Sequence, residues 1–198
     1  MKDNKILRIS VMGLFIALCY VGVLFNIPIR IAGSGTMIHL GNTFCMLGAL
    51  LVGGLYGGFA GAVGMTLFDL TGDWAPYAPS TFILKLCIGL ICGTVFHLLI
   101  KNGVKEQLAA LIGCICAGAF NIIASPIIGS YLTNKYIIGS DPDAAKIVAG
   151  MQSVTAIINA VMAVIIATVV YSALSAALKK SGILDKLRPV RTENTLSN

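Results

Sequence analysis

The chain has 198 residues, of which 57% are apolar and only 11% charged, and its mean hydropathy is +0.91. A soluble domain carries about 25% charged residues, so a water-soluble globule is excluded. The net charge of +6 has no basic face outside the apolar runs to accompany it, which argues against nucleic-acid binding.

A spanning helix needs about 20 apolar residues, so this composition has room for five or six transmembrane helices and no separate soluble domain. Membrane β-barrels alternate apolar and polar residues over short segments. The runs here are continuous and rich in Gly and Ala, which predicts an all-α integral membrane protein.

Hydropathy places six spans at about 6–25, 37–52, 55–71, 80–100, 108–131 and 147–178. The first has no small-residue cleavage site and reads as a retained helix rather than a signal peptide. Asn26, Ile27 and Pro28 end it, Gly53 and Gly54 separate the second span from the third, and Pro76 and Pro79 bracket the third connection. Residues 1–178 are expected to form one membrane domain, and residues 179–198 a polar, basic tail with little fixed structure.

Basic residues near span ends are retained in the cytoplasm. Lys2, Lys5, Arg8, Lys101, Lys105, Lys179, Lys180, Lys186, Arg188 and Arg191 fall on one side, and only Arg30, Lys135 and Lys146 on the other. Both termini are therefore expected in the cytoplasm, with longer outer connections at 26–36, 72–79 and 132–146. The outer loop containing Arg30, Gly33, Ser34 and Gly35 has the glycine content of a movable lid.

Familiar soluble motifs are missing. The glycines from Gly53 to Gly64 lie in an apolar run with no preceding strand or ribose-binding acid, so they do not read as a nucleotide loop. Gly53, Gly57 and Gly61 instead make a bare stripe for close helix contact. There is no P-loop, so ATP-driven work needs a partner. The six cysteines lie within apolar runs without metal-ligand spacing, and neither a metal nor a cofactor is expected.

Polar residues inside spans are costly and mark a site or a buried pair. His39 and Asn42 begin the second span, Asp69 lies near the end of the third, and Lys85 near the start of the fourth. Asn121 and Ser125 lie in the outer half of the fifth, and Gln152 and Asn159 in that of the sixth, with Trp74 and Tyr77 in the loop above. The inner half offers little beyond Thr94 and His97. This loading of one leaflet predicts a polar cavity near the outer surface. Individually the residues leave alternatives open. Asp69 and Lys85 are either ligand groups or an ion pair, His39 a ligand contact or a packing residue, the amides ligand contacts or interhelical glue, and the aromatics a stacking platform or an interfacial belt.

The segment Ile38-His39-Leu40-Gly41-Asn42, the glycine-rich third span ending Phe68-Asp69-Leu70, and Tyr77-Ala78-Pro79 followed by Lys85 resemble the substrate-binding S component of energy-coupling factor (ECF) vitamin transporters. The resemblance covers roughly 6–178. It implies a non-enzymatic subunit in the plasma membrane of a prokaryote, which binds a water-soluble vitamin or precursor from outside in a pocket capped by the loop between the first two helices. It also implies a transmembrane T component and two cytoplasmic ATPases as partners, and toppling of the S component to release its substrate. Within the family, the HLGN and YAP elements look most like the branch for pyridoxine, hydroxymethylpyrimidine or a queuosine precursor. T-component docking in the family uses two small residues four apart on the first helix, usually alanines. Gly13 and Ala17 match that spacing here, with glycine departing from the pattern and internal packing as the other reading. Two competing functions are a stand-alone secondary transporter with Asp69 as proton site and an intramembrane enzyme using Ser34 and His39. The first lacks two related halves, and the second lacks an orienting acid.

Overall fold

In the computed structural model, residues 2–31 and 34–187 are described, with backbone alone at 2–4, 30, 31 and 34. Helix α1 (Lys2–Leu24) leads into a β-hairpin of β1 (Ile27–Ile31) and β2 (Ser34–Ile38). Then come α2 (Gly41–Val52), α3 (Gly54–Thr71), a tight 3-10 turn (Ala75–Tyr77) and α4 (Ala78–Lys101). Helix α5 (Glu106–Ala124) continues as a wide π-type segment (Ser125–Ile138), and α6 (Pro142–Lys180) and the short α7 (Ile183–Leu187) follow.

The hairpin is the first departure from the expected all-α chain. Its strands pair antiparallel, with Ile27 opposite Ile38 and Arg30 opposite Gly35. Ile27, Ile29 and Ile31 alternate along β1, the period of a strand, and Pro28 is tolerated because this is an edge strand. The region expected as a loop lid is thus ordered structure around its tip, and Gly33 lies outside the described residues.

The hairpin also shortens the second span. Residues 37 and 38 belong to β2 and His39 lies in the bend, so α2 has 12 residues. At 1.5 Å per residue that is about 18 Å, less than the roughly 30 Å of hydrocarbon. Almost every α2 residue is buried, as expected for a helix that is apolar all round. Among the described residues, four helical segments are long and apolar enough to cross a membrane: Lys5–Leu24, Ala75–Lys101, Glu106–Ile138 and Pro142–Lys180.

Gly53 separates α2 from α3 without a loop, at φ 101° and ψ 156°, a conformation open to glycine. The reversal lays α3 against α2, and the glycines close the contact. A Cβ on Gly57 would stand 2.1 Å from the Ala49 backbone nitrogen. On the other side, Gly54 and Gly58 face Gly93 and Gly89 of α4, where a Cβ would stand 2.3 and 2.1 Å from the opposing Cα atoms. Helix α3 therefore uses two small-residue stripes rather than the single one expected, and touches two helices backbone to backbone.

At the end of the bundle opposite the hairpin, the Tyr171 hydroxyl donates to Glu106 at 2.6 Å and Lys179 pairs with the same carboxylate. Helix α7 buries Leu184 and Leu187 in the apolar core. Residues 183–187 therefore depart from the expected unstructured tail, because two leucines three apart reach that core. Residues 188–198, with Arg188 and Arg191, lie outside the described residues. At the other end, Asp141 caps α6 by accepting from the Asp143 amide at 2.8 Å, with Pro142 at the first helical position.

Candidate binding site

The C-terminal ends of α1 and α3, the hairpin and the bend after it, the 3-10 turn, the N-terminal parts of α4 and α6, and the π-type segment meet at one end of the bundle. They line a half-open cavity of about 90 Å³. Val23, Met65 and Leu84 supply apolar wall, and Thr36, His39, Asp69, Thr81, Lys85, Ser125 and Gln152 supply polar groups. Trp74 and Tyr77 also line it, their ring centroids 5.8 Å apart. No His/Cys/Asp/Glu cluster suited to a metal ion occurs among the described residues; the wall carries hydrogen-bonding side chains and two aromatic rings.

Of the residues expected at a site, His39, Asp69, Trp74, Tyr77, Lys85, Gln152 and the lid residue Gly35 line the cavity. Asn42, Asn121 and Asn159 are buried but are not among its lining residues. Asn121 accepts from the Ser125 hydroxyl at 2.8 Å, which turns a helix-face pair into a local bond. Asn159 holds the hairpin: its Nδ2 donates to Met37 O at 2.9 Å and its Oδ1 accepts from the His39 amide at 3.0 Å. The backbone of Arg30 and Ser34 belongs to the hairpin.

A second clamp lies nearby on α6. The Thr36 hydroxyl donates to Gln152 Oε1 and lies 2.6 Å from the Thr155 hydroxyl. Gln152 and Asn159, seven apart and so on one helix face, thus both grip the hairpin. His39 turns inward at the bend, where its Nδ1 accepts from the Gly41 amide at 3.1 Å. Tyr77 is steadied by Asn134, whose Nδ2 donates to its hydroxyl at 3.1 Å.

Asp69 and Lys85 are 6% and 7% exposed. They line one cavity, yet among the described residues no ion pair joins them, and Asp69 Oδ2 is buried without a hydrogen-bond partner. Thr81 lies beside the carboxylate and is four residues from Lys85, so both project from the same face of α4. The sequence reading missed Thr36, Thr81 and Asn134. Thr81 was discoverable from its spacing to Lys85; Thr36 and Asn134 have no such local signal.

Gly13 and Ala17 both lie on the exposed side of α1, and a Cβ on Gly13 would meet no heavy atom within 4 Å. Internal packing is therefore not their role in this chain.

No match is found among curated proteins or among solved structures. The family model described as "ECF-type riboflavin transporter, S component" matches residues 3–176. That span takes in every residue that lines the cavity, and the chain belongs to this family of membrane-embedded S components of ECF vitamin transporters.

Proposed function

We propose that this chain captures a single-ring heteroaromatic vitamin or precursor, of the size of pyridoxine or hydroxymethylpyrimidine, at the hairpin end of the bundle. The observation that carries this reading is the cavity itself: about 90 Å³, with a buried carboxylate oxygen that has no partner, a lysine and two aromatic rings on its wall. One ring fits between these walls, whereas a three-ring flavin with a sugar-alcohol tail would extend through the open side of the cavity.

The chain lies in the membrane as six helical segments, of which α2 is shorter than the hydrocarbon and sits buried among its neighbours; its termini are cytoplasmic, and the hairpin faces outward in the plasma membrane of a prokaryote. The basic residues support this orientation: Lys5, Arg8, Lys101, Lys105, Lys179, Lys180 and Lys186 gather at the end opposite the hairpin. A transmembrane T component docks on α1 at Gly13 and Ala17, whose exposure leaves a shallow face for a second helix, and two ATPases supply the energy. The chain itself does no covalent chemistry.

The test uses protein purified alone and reconstituted in nanodiscs, with emission of the sole tryptophan, Trp74, followed during titration. Saturable binding of pyridoxine or hydroxymethylpyrimidine without ATP or an ion gradient is the expected result. Tighter binding of riboflavin would overturn the substrate assignment. Proton-driven uptake by the chain alone in liposomes would overturn the dependence on partners.

A further inference from the structure

Asp69 and Lys85 are two buried, opposite charges on the wall of one half-open cavity that do not meet. Elsewhere around the cavity, polar valences are largely used within the protein. The Thr36 hydroxyl and the Gln152 carbonyl bond each other, His39 Nδ1 takes the Gly41 amide, and Tyr77 pairs with Asn134. The charged groups left over are Asp69 Oδ2, which is buried without a partner, and the Lys85 ammonium, which joins none of the ion pairs among the described residues. Each is too costly to leave unpaired within a bilayer.

We propose that the substrate itself joins them. It is a heteroaromatic ring of zero net charge, neutral or zwitterionic, that presents a donor edge (a ring N–H or amino group) to Asp69 and an oxygen acceptor edge to Lys85. This rests on the single-ring reading above and adds to it the charge pattern that the site selects.

The selection follows from charge balance. One carboxylate and one ammonium sum to zero, and a ligand of zero net charge keeps that sum inside the low-dielectric cavity. A phosphate ester adds up to two negative charges against a single lysine, and the excess is desolvated without compensation. No second lysine or arginine is among the residues that line the cavity, whose other walls are apolar (Val23, Met65, Leu84) or carry hydroxyls and an amide (Thr36, Thr81, Ser125, Gln152). The unphosphorylated form is therefore the one carried, and any phosphorylation of the substrate follows entry.

Calorimetric titration of the reconstituted protein tests this with pyridoxine, hydroxymethylpyrimidine, pyridoxal 5′-phosphate and riboflavin as probes. At least one unphosphorylated single-ring probe should bind, and pyridoxal 5′-phosphate should bind about 100-fold more weakly than it or not at all. Asp69→Asn and Lys85→Gln should each weaken that probe about 10- to 100-fold, the effect of losing a charge-assisted hydrogen bond. The wild-type comparison between phosphorylated and unphosphorylated probes holds even if a variant fails to fold. Equal affinity for pyridoxal 5′-phosphate, or unchanged binding by both folded variants, would overturn the charge-pairing proposal and leave the single-ring reading intact. Binding of riboflavin with silence from both unphosphorylated single-ring probes would overturn the two together.

Discussion

Replacing Asn159 by alanine removes both bonds by which α6 holds the bend after β2: the 2.9 Å bond to Met37 O and the 3.0 Å bond from the His39 amide. A neutral hydrogen bond contributes about 1 kcal/mol net, so the pair contributes about 2 kcal/mol, and exposure of the bend to water relieves the orphaned groups only when the hairpin opens. That energy corresponds to a roughly 30-fold larger open fraction. The clamp of Thr36 on Gln152 and Thr155 remains, so the variant should still fold. Two readouts follow from the same shift. Hydrogen exchange at the His39 amide should accelerate roughly 30-fold, and the bound substrate should leave faster by a similar factor in stopped-flow Trp74 fluorescence, with its association rate changed much less. Unchanged exchange at His39 in the folded variant would refute the assignment of Asn159 to the hairpin, and faster substrate release without faster exchange would make Asn159 a direct ligand contact.

Gly89→Val should prevent stable insertion or lower the melting temperature sharply, since its Cβ would stand 2.1 Å from the Gly58 Cα and overpacking against backbone costs about 1–3 kcal/mol or more; a wild-type melting curve would contradict the α3–α4 contact. Tyr171→Phe should destabilise by about 1–2 kcal/mol in denaturant titration, because the part-buried Glu106 carboxylate loses a 2.6 Å donor, while substrate affinity at the far end of the bundle stays as in wild type. Ala17→Leu should leave substrate binding intact and abolish T-component pull-down, because a large side chain separates two closely packed helices; pull-down at the wild-type level would place the docking face elsewhere.

Place was readable in the sequence for a physical reason: hydrocarbon penalises polar side chains, so those of His39, Asp69, Lys85 and Gln152 stand out within apolar runs, and all four line the cavity. Role was less readable than place. Asn159 has the same residue type and depth as a ligand contact, but its partners are Met37 and His39, more than 100 positions away in the chain, and no local pattern announces them. The hairpin had a local signal in the alternation of Ile27, Ile29 and Ile31, but the glycines at 33 and 35 read as a loop. Gly35 instead belongs to β2, where it pairs with Arg30. The short α2 was hidden because a buried helix and a membrane span have the same composition; burial by α1, α3, α4 and α6, rather than hydropathy, tells them apart. Even the unpaired state of Asp69 and Lys85 required geometry, since a sequence shows two charges at similar depth and not whether they touch.

The central claim is that this chain alone holds a small heteroaromatic ring in the hairpin-end cavity and leaves energy conversion to its partners. Native mass spectrometry of the protein purified from membranes without its partners and without nucleotide tests that claim directly. The predicted spectrum shows one bound single-ring heteroaromatic per chain, lost in Lys85→Gln. A spectrum in which the ligand is a flavin, or in which the folded Lys85→Gln variant retains the same ligand at wild-type occupancy, would contradict the account.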